Sequence, residues 1–417
     1  MKKIILVVGC LLIFTPLAIF GYIKFEEKKN IENRKKENNK IVKVIKSYYS
    51  DYVITTKETK LYKKEKNKFV EYGKIGKNVK VKLVKEKISS STKYFLIDGL
   101  NLYIDYSSLK KTNEFSKSDR YKNYIPFNKN IKTNGKTTFY DSNKKLVYEL
   151  NESVDLPIIV SDNDYSGVEY NNSLLYVKNS DGEIYDNENS TLKTKDKIRV
   201  LTYHFIYDPE TESCNEAICF TLSKFEEHAK YLRENEYFTM KLDELEMYLD
   251  GKIQIPEKSI VLTIDDGTLF NLKALDILEK YKINLTMFVV TGWVGVDNLK
   301  SDYLDLESHT DNMHNQYECP GHGSQGGGIL CLPEDKVLND LKTSQDKLGG
   351  STYFAYPFFD FNDRAIELLK KAGFHMAFIG QYDSDGYSFP NKTDRFKVRR
   401  KTIFNDLTQD EFIEFIK

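Results

Sequence analysis

The chain has 417 residues, enough for two or three domains. Lys plus Arg and Asp plus Glu both number 62, and that balance argues against nucleic acid as the main partner, since its binders carry a net basic surface. Tyrosine (29) and phenylalanine (25) are abundant while tryptophan occurs once, a composition that leans toward β-rich modules and sugar-facing surfaces.

Lys2-Lys3 precede an apolar stretch from Ile4 to Ile23, close to the roughly 20 residues that cross a bilayer. The positive end is expected to stay in the cytoplasm, and a membrane helix tolerates Pro16. Bulky Phe20-Gly21-Tyr22-Ile23 offers no small-residue cleavage site. Cys10 lies too early, inside the apolar run, for a lipoprotein. Residues 1–23 therefore read as an uncleaved signal-anchor transmembrane helix, with everything beyond it outside the cell, on the membrane and at the cell wall. Residues 24–48, rich in Lys, Glu and Asn, read as a charged stalk.

Residues 49–112 show short alternating runs (59–62, 79–84, 94–97, 102–106) separated by turn residues, the pattern of a small antiparallel barrel. Residues 113–195 repeat it with runs at 137–140, 154–160 and 174–177, predicting a second small β domain. The strand order of the first resembles bacterial Src-homology-3-like domains. That resemblance implies binding of cell-wall polymer; a spacer without a ligand is the other reading.

From residue 196 to 417 strands alternate with helices. A strand at 198–203 is followed by Ser223-x-x-Glu226, a capping box that opens a helix. A helix over 242–249 is stopped by Gly251. Strand 260–264, helix 269–280 and strand 285–290 follow. Pro333 starts a helix that Gly349-Gly350 ends. Strand 352–356 precedes a helix capped by Asn362 and ended by Gly373, then strand 376–379. Thr408-x-x-Glu411 caps the last helix. Repeated β-α units predict an α/β domain built as a barrel of parallel strands. Cys214, Cys219, Cys319 and Cys331 form an even set in an exported region. The local pairs 214–219 and 319–331 are the simplest of three connectivities, and the spacings match no zinc ribbon.

The chemistry concentrates where Ile260-Val261-Leu262-Thr263-Ile264 runs into Asp265-Asp266-Gly267. Two adjacent carboxylates at a strand's C-terminal end repel each other, so they need a cation or a working role. Ser308-His309-Thr310-Asp311-Asn312-Met313-His314 brings two histidines together. An aspartate with two histidines is a ligand set for a divalent metal, most naturally zinc, with an open position. On a regular helix, residues five apart point about 140° apart at ~3.6 residues per turn, so the histidine segment is expected to be a loop or an irregular helix start.

Tyr203-His204, Thr263-Ile264-Asp265-Asp266-Gly267, Ser308-His309-Thr310-x-x-x-His314 and Phe354-Ala355-Tyr356-Pro357-Phe358, in that order, resemble the NodB-type polysaccharide deacetylases, carbohydrate esterase family four. The resemblance covers residues 197–417. It implies a deformed β/α barrel that removes acetyl groups from an N-acetylhexosamine polymer. It implies Asp265 as base, Asp266, His309 and His314 as metal ligands, and the Phe358 backbone N–H as oxyanion donor, with Tyr356 and Pro357 on the substrate side. The histidine spacing is similar to the branch acting on poly-N-acetylglucosamine. Ala355 stands where many members carry arginine, and no histidine follows His375, so the acid for the leaving amine is unassigned. His204 either supplies it, lines the site, or is a core histidine. His375 reads as structural, His228 as exposed on its helix, and His322 as part of a loop. The leading expectation is an anchored deacetylase of N-acetylglucosamine in peptidoglycan. An exopolysaccharide deacetylase and a non-catalytic wall-binding protein are the alternatives. No protein partner is inferred.

Overall fold

A computed structural model of the chain describes residues 52–84, 93–187, 193–268, 272–320, 326–381 and 385–417, with residues 28, 29, 32, 33 and 36. The expected signal anchor, most of the stalk and His322 lie outside the described residues. Among the described residues no helix is long and apolar enough to cross a membrane. The chain divides into two units: residues 1–119, 131–156 and 164–185 form one, and residues 120–130, 157–163 and 186–417 the other.

In the first unit the predicted alternation becomes an antiparallel sheet. Tyr165–Glu169, Leu174–Lys178, Thr137–Tyr140, Leu146–Leu150, Lys68–Ile75, Thr59–Glu65, Tyr103–Asp105 and Tyr94–Leu96 are neighbours in that order. Leu61, Phe95 and Ile104 are buried on one face, as a period of two requires. Tyr52–Thr55 lies between Lys80–Lys82 and Leu109–Lys111 in a smaller sheet. The two expected β domains are not separate here. Leu146–Leu150 pairs with Lys68–Ile75, Tyr148 opposite Ile75 and Leu150 opposite Gly73. Gly73 permits this approach, because a Cβ there would lie 2.1 Å from the Glu149 carbonyl oxygen. Periodicity shows that a segment is a strand; it does not show which strand it meets.

In the second unit seven parallel strands close into a barrel. They are β1 (Ile198–Tyr203), β2 (Ser259–Ile264), β3 (Leu285–Val289), β4 (Leu304–Ser308), β5 (Tyr353–Ala355), β6 (Met376–Gln381) and β7 (Val398–Thr402). Each pairs with the next, and β7 returns to β1. All six residues of β2 are buried, as expected of a strand covered on both faces. The helices are α1 (Leu222–Glu234), α2 (Leu242–Leu249), α3 (Leu272–Tyr281), α4 (Glu334–Lys347), α5 (Asp363–Lys371) and α6 (Gln409–Ile416). No α-helix is described between β3 and β4 or between β6 and β7, which makes the barrel irregular. In α5 the residues Ala365, Ile366, Leu368 and Leu369 form one buried stripe, the spacing that seats a helix on a sheet.

Several punctuation signals hold. The Asn362 side chain accepts from the Ala365 N–H, Thr408 and Glu411 form a full capping box, and Gly251 takes φ +70° after α2. Both local disulfides, Cys214–Cys219 and Cys319–Cys331, are present. Ser223 differs: α1 starts one residue earlier, with Thr221 at its N-cap. Glu226 instead accepts from Lys280 Nζ at 2.6 Å and the Tyr281 hydroxyl at 3.0 Å. The expected start at residue 196 also differs, because residues 120–130 belong to this unit. There the Arg120 Nε donates to buried Glu244 at 2.7 Å, and the Tyr124 hydroxyl donates to it at 3.0 Å.

His228 corrects an expectation. It is buried, not exposed. Its ring stacks on Phe412 at 3.6 Å, and its Nδ1 is 2.9 Å from the Tyr203 hydroxyl. Burial pushes its pKa down to about 3, so the ring is neutral. Charged neighbours along α1 suggested water, but position 228 falls on the stripe with Phe225, Ala229 and Leu232 that faces the barrel.

Candidate metal centre and active site

The C-terminal ends of the barrel strands bring the predicted chemistry together. Asp265 and Asp266 leave β2, His309 leaves β4, His204 leaves β1, and residues 356–359 leave β5. The histidine segment is a loop, one of the two arrangements that the five-residue spacing allowed. Nε2 of His314 lies 3.2 Å from Oδ1 of Asp266, and Nε2 of His309 lies 3.5 Å from it. One ligand atom from each of the three falls within 4.8 Å of the others.

The tautomer of His309 is fixed by its surroundings. Its Nδ1 is 2.8 Å from the Ala355 carbonyl oxygen. A carbonyl only accepts, so Nδ1 carries a proton and Nε2 is the nitrogen turned toward Asp266, the second-sphere arrangement of metal-binding histidines. Burial alone would raise the pKa of Asp266, but hydrogen bonds from His309 and His314 outweigh it and hold the group below the usual carboxylate range. A site of two imidazole nitrogens and one carboxylate fits a divalent cation of the zinc type with an open position.

Asp265 points elsewhere. Its Oδ1 and Oδ2 accept from the two terminal nitrogens of Arg400 at 2.6 and 2.7 Å. Both side chains are buried. Burial pushes the Asp265 pKa up, and the Arg400 charge overcomes it and leaves the carboxyl lowered. The guanidinium is flanked by the rings of Phe288 (5.4 Å), Phe359 (5.7 Å) and Phe378 (6.0 Å). Adjacent acids demanded a cation, and here each acid has its own compensation: the guanidinium for Asp265 and the imidazole pair for Asp266.

Sequence reasoning missed Arg400. The run Lys397-Val398-Arg399-Arg400-Lys401 looks like solvated charge. The signal was alternation, for Val398, Arg400 and Thr402 are buried while Arg399 is exposed. A guanidinium thus reaches Asp265 although position 355 holds alanine.

His204 is buried beside Asp265, with Nε2 3.9 Å from Oδ2. Its Nδ1 is buried without a hydrogen-bond partner, and burial lowers its pKa. Phe358 lies over His314, ring centroids 4.6 Å apart. Tyr356 and Pro357, expected on the substrate side, are both buried. The Tyr356 hydroxyl donates to the Phe396 carbonyl at 3.2 Å, and its ring sits in a core with Phe354 and Leu369. His375 lies by Glu246, Nδ1 3.7 Å from the carboxylate, on the N-terminal side of β6.

Backbone strain gathers here. Asp266 (φ +71°), Thr310 (φ +80°), Phe358 (φ +56°) and Phe359 (φ +61°) are non-glycine residues in the left-handed region. Each costs about 1–3 kcal/mol, and such strain clusters at functional sites.

Residues 252–377 match the family model described as polysaccharide deacetylase. A poly-beta-1,6-N-acetyl-D-glucosamine N-deacetylase of Staphylococcus aureus (strain MRSA252) is 28% identical over 178 residues, covering 37% of this chain and 59% of that protein. A putative polysaccharide deacetylase, YxkH, of Bacillus subtilis (strain 168) is 24% identical over 204 residues, covering 46% of this chain and 68% of that one. The match to the staphylococcal protein thus spans 59% of its length. Among solved structures, a de-N-acetylase from Aggregatibacter actinomycetemcomitans covers 53% of this chain and 100% of its own at 21% identity and TM-score 0.46. IcaB from Ammonifex degensii covers 54% and 99% at 22% identity and TM-score 0.43. Within the second unit, residues 252–377 are thus similar to a polysaccharide deacetylase domain.

Proposed function

We propose that this chain is a metal-dependent N-deacetylase of an N-acetylglucosamine polymer, with a β-1,6-linked exopolysaccharide as its substrate. The observation that carries the reading is the convergence of Asp266, His309 and His314 beside a second, buried carboxylate. The polymer is favoured by the five-residue histidine spacing and by the activity for which the staphylococcal relative is named. Peptidoglycan, the leading expectation from the sequence, becomes the second arm of the assay. The charged N-terminus before the apolar stretch supports a site outside the cell.

The reaction adds water across an amide: an O–C bond forms at the acetyl carbon, the C–N bond breaks, and acetate and a free amine result. A divalent cation held by Asp266, His309 and His314 would supply Lewis acidity, making water more acidic and polarising the carbonyl. Asp265 accepts the proton that water gives up. Arg400 keeps that carboxylate ionised and fixes its plane by two parallel hydrogen bonds. The Phe358 N–H is the donor for the oxyanion. Its neighbours' amides are committed to the turn, Phe359 donating to Tyr356 and Asp360 to Pro357. His204, whose Nε2 is 3.9 Å from Asp265 Oδ2, supplies the proton to the leaving amine in this reading.

The test is acetate release by the full chain on poly-β-1,6-N-acetylglucosamine and on peptidoglycan, with and without chelator. Asp265→Asn should abolish turnover and keep the metal, whereas His314→Ala should lose both. Full activity in Asp265→Asn would refute the base assignment, and activity indifferent to chelator would refute the metal.

A further inference from the structure

Trp293 is the single tryptophan of the chain, and half of it (50%) is exposed. It lies at the mouth of the site, its ring meeting His314 edge-on with centroids 5.0 Å apart and planes at 67°. Phe358 packs against the same imidazole, centroids 4.6 Å apart. His314 therefore contacts two aromatic rings, and Trp293 leaves half of its surface to water.

An exposed ring of this size gains little for folding, since apolar surface stabilises only when removed from water. The chain nevertheless holds it firmly. Trp293 N–H donates to Val290, Gly292 N–H to Asp311 and Thr291 N–H to Thr310. The Thr291 hydroxyl donates to Asp311 Oδ1 at 2.6 Å, and Lys347 reaches the same oxygen at 2.5 Å. A Cβ on Gly292 would lie 2.5 Å from the Asp311 carbonyl oxygen, so only glycine lets the tryptophan turn lie this close to the histidine loop. A rigid, wet, apolar plane beside a polar reaction centre is a pre-organised binding element. The ligand that suits it presents a flat apolar face and a polar rim, as a pyranose ring does with its axial C–H groups and equatorial hydroxyls.

We propose that Trp293 is a stacking platform for a sugar ring of an extended glycan, next to the residue whose acetyl group reaches the metal ligands. This rests on the deacetylase reading and adds that the substrate is a polymer engaged over more than one ring. The platform holds a ring that does not react and so adds equally to ground-state and transition-state binding.

The lone tryptophan makes the test direct. In full-chain Asp265→Asn, which should bind without turnover, Trp293 emission is expected to shift saturably to the blue with a β-1,6-linked N-acetylglucosamine pentasaccharide. Free N-acetylglucosamine should leave it unmoved at tenfold higher concentration. In the otherwise unaltered chain Trp293→Ala should raise KM for the pentasaccharide about tenfold with kcat and zinc affinity within twofold, and Trp293→Tyr should restore most of the loss. Emission unmoved by either β-1,6- or β-1,4-linked oligosaccharide overturns the platform, whatever the acetate assay gives. So does a Trp293→Ala variant that loses zinc affinity and kcat at unchanged KM, which would make the ring a prop for His314. Emission that follows protein concentration instead of sugar would mark a protein contact and also overturn it. A glycan-dependent shift without acetate release from the unaltered chain supports the platform while refuting the deacetylase.

Discussion

Replacing Arg400 by methionine should separate structural from chemical electrostatics in the barrel. The substitution keeps a long apolar side chain between Phe288, Phe359 and Phe378 and removes the charge that offsets Asp265. Both partners of the pair are buried, so the carboxylate left behind is poorly hydrated. Breaking a buried, doubly hydrogen-bonded pair by removing one partner costs about 3–5 kcal/mol. For a unit of this size that is a fall in Tm of roughly 6–20 °C. The sign with pH follows from the causes already named. In the unaltered chain Arg400 lowers the folded-state pKa of Asp265, so its contribution is present above the unfolded value and lost as pH falls through the folded one. Without Arg400 burial remains and the folded pKa moves above the unfolded value. That group then favours the fold only at low pH, and the stability is lost as pH rises. The deficit of Arg400→Met should therefore be large at pH 8 and shrink toward pH 4. Urea unfolding in chelator, followed by Trp293 fluorescence, measures it without metal linkage. Arg400→Met combined with Asp265→Asn should recover at least half of the loss, because the stranded charge is gone. A deficit under about 1 kcal/mol at pH 8, or one that does not change with pH, would refute the reasoning.

Glu307 is partly buried, and desolvation pushes its pKa up to about 7, with the Ser351 hydroxyl and the Thr352 and Tyr353 amides all donating to its Oε2. Its folded-state pKa is raised, so its contribution is complete below the unfolded value and lost as pH rises through about 7. Glu307→Gln keeps an oxygen for those donors and should match the parent at pH 4 yet exceed it by about 2 kcal/mol at pH 8 in urea titrations; a pH-independent difference would refute this. Cys319→Ser with Cys331→Ser opens a loop of sequence separation 12 and should cost about 3 kcal/mol by chain entropy. Equal urea midpoints for this variant and the oxidised parent would contradict that.

Much of the barrel was legible because its signals are local. Apolar runs marked β2, β3 and β6, and Asn362, Thr408, Gly251 and Pro333 punctuated helices by hydrogen bonds or dihedrals that depend on near neighbours. β4 and β7 were not read. Leu-Asp-Leu-Glu-Ser and Val-Arg-Arg-Lys-Thr carry charge where a parallel strand is normally apolar. Their acidic and basic side chains find partners across the fold, Glu307 at Ser351 and Arg400 at Asp265. His228 was misplaced for a related reason, since stacking on Phe412 links residues far apart in the chain.

The order of residues alone put two adjacent acids and two histidines forward as a candidate ligand set and excluded a regular helix for His309 and His314, because adjacency and spacing limit which side chains can point together. Only the folded chain decided that Arg400 serves Asp265, that Tyr356 is interior, and that Leu146–Leu150 pairs with Lys68–Ile75 across the two expected β domains. Those outcomes depend on contacts between positions separated by tens to hundreds of residues, where barrel closure and strand pairing choose the partner and no local pattern records the choice.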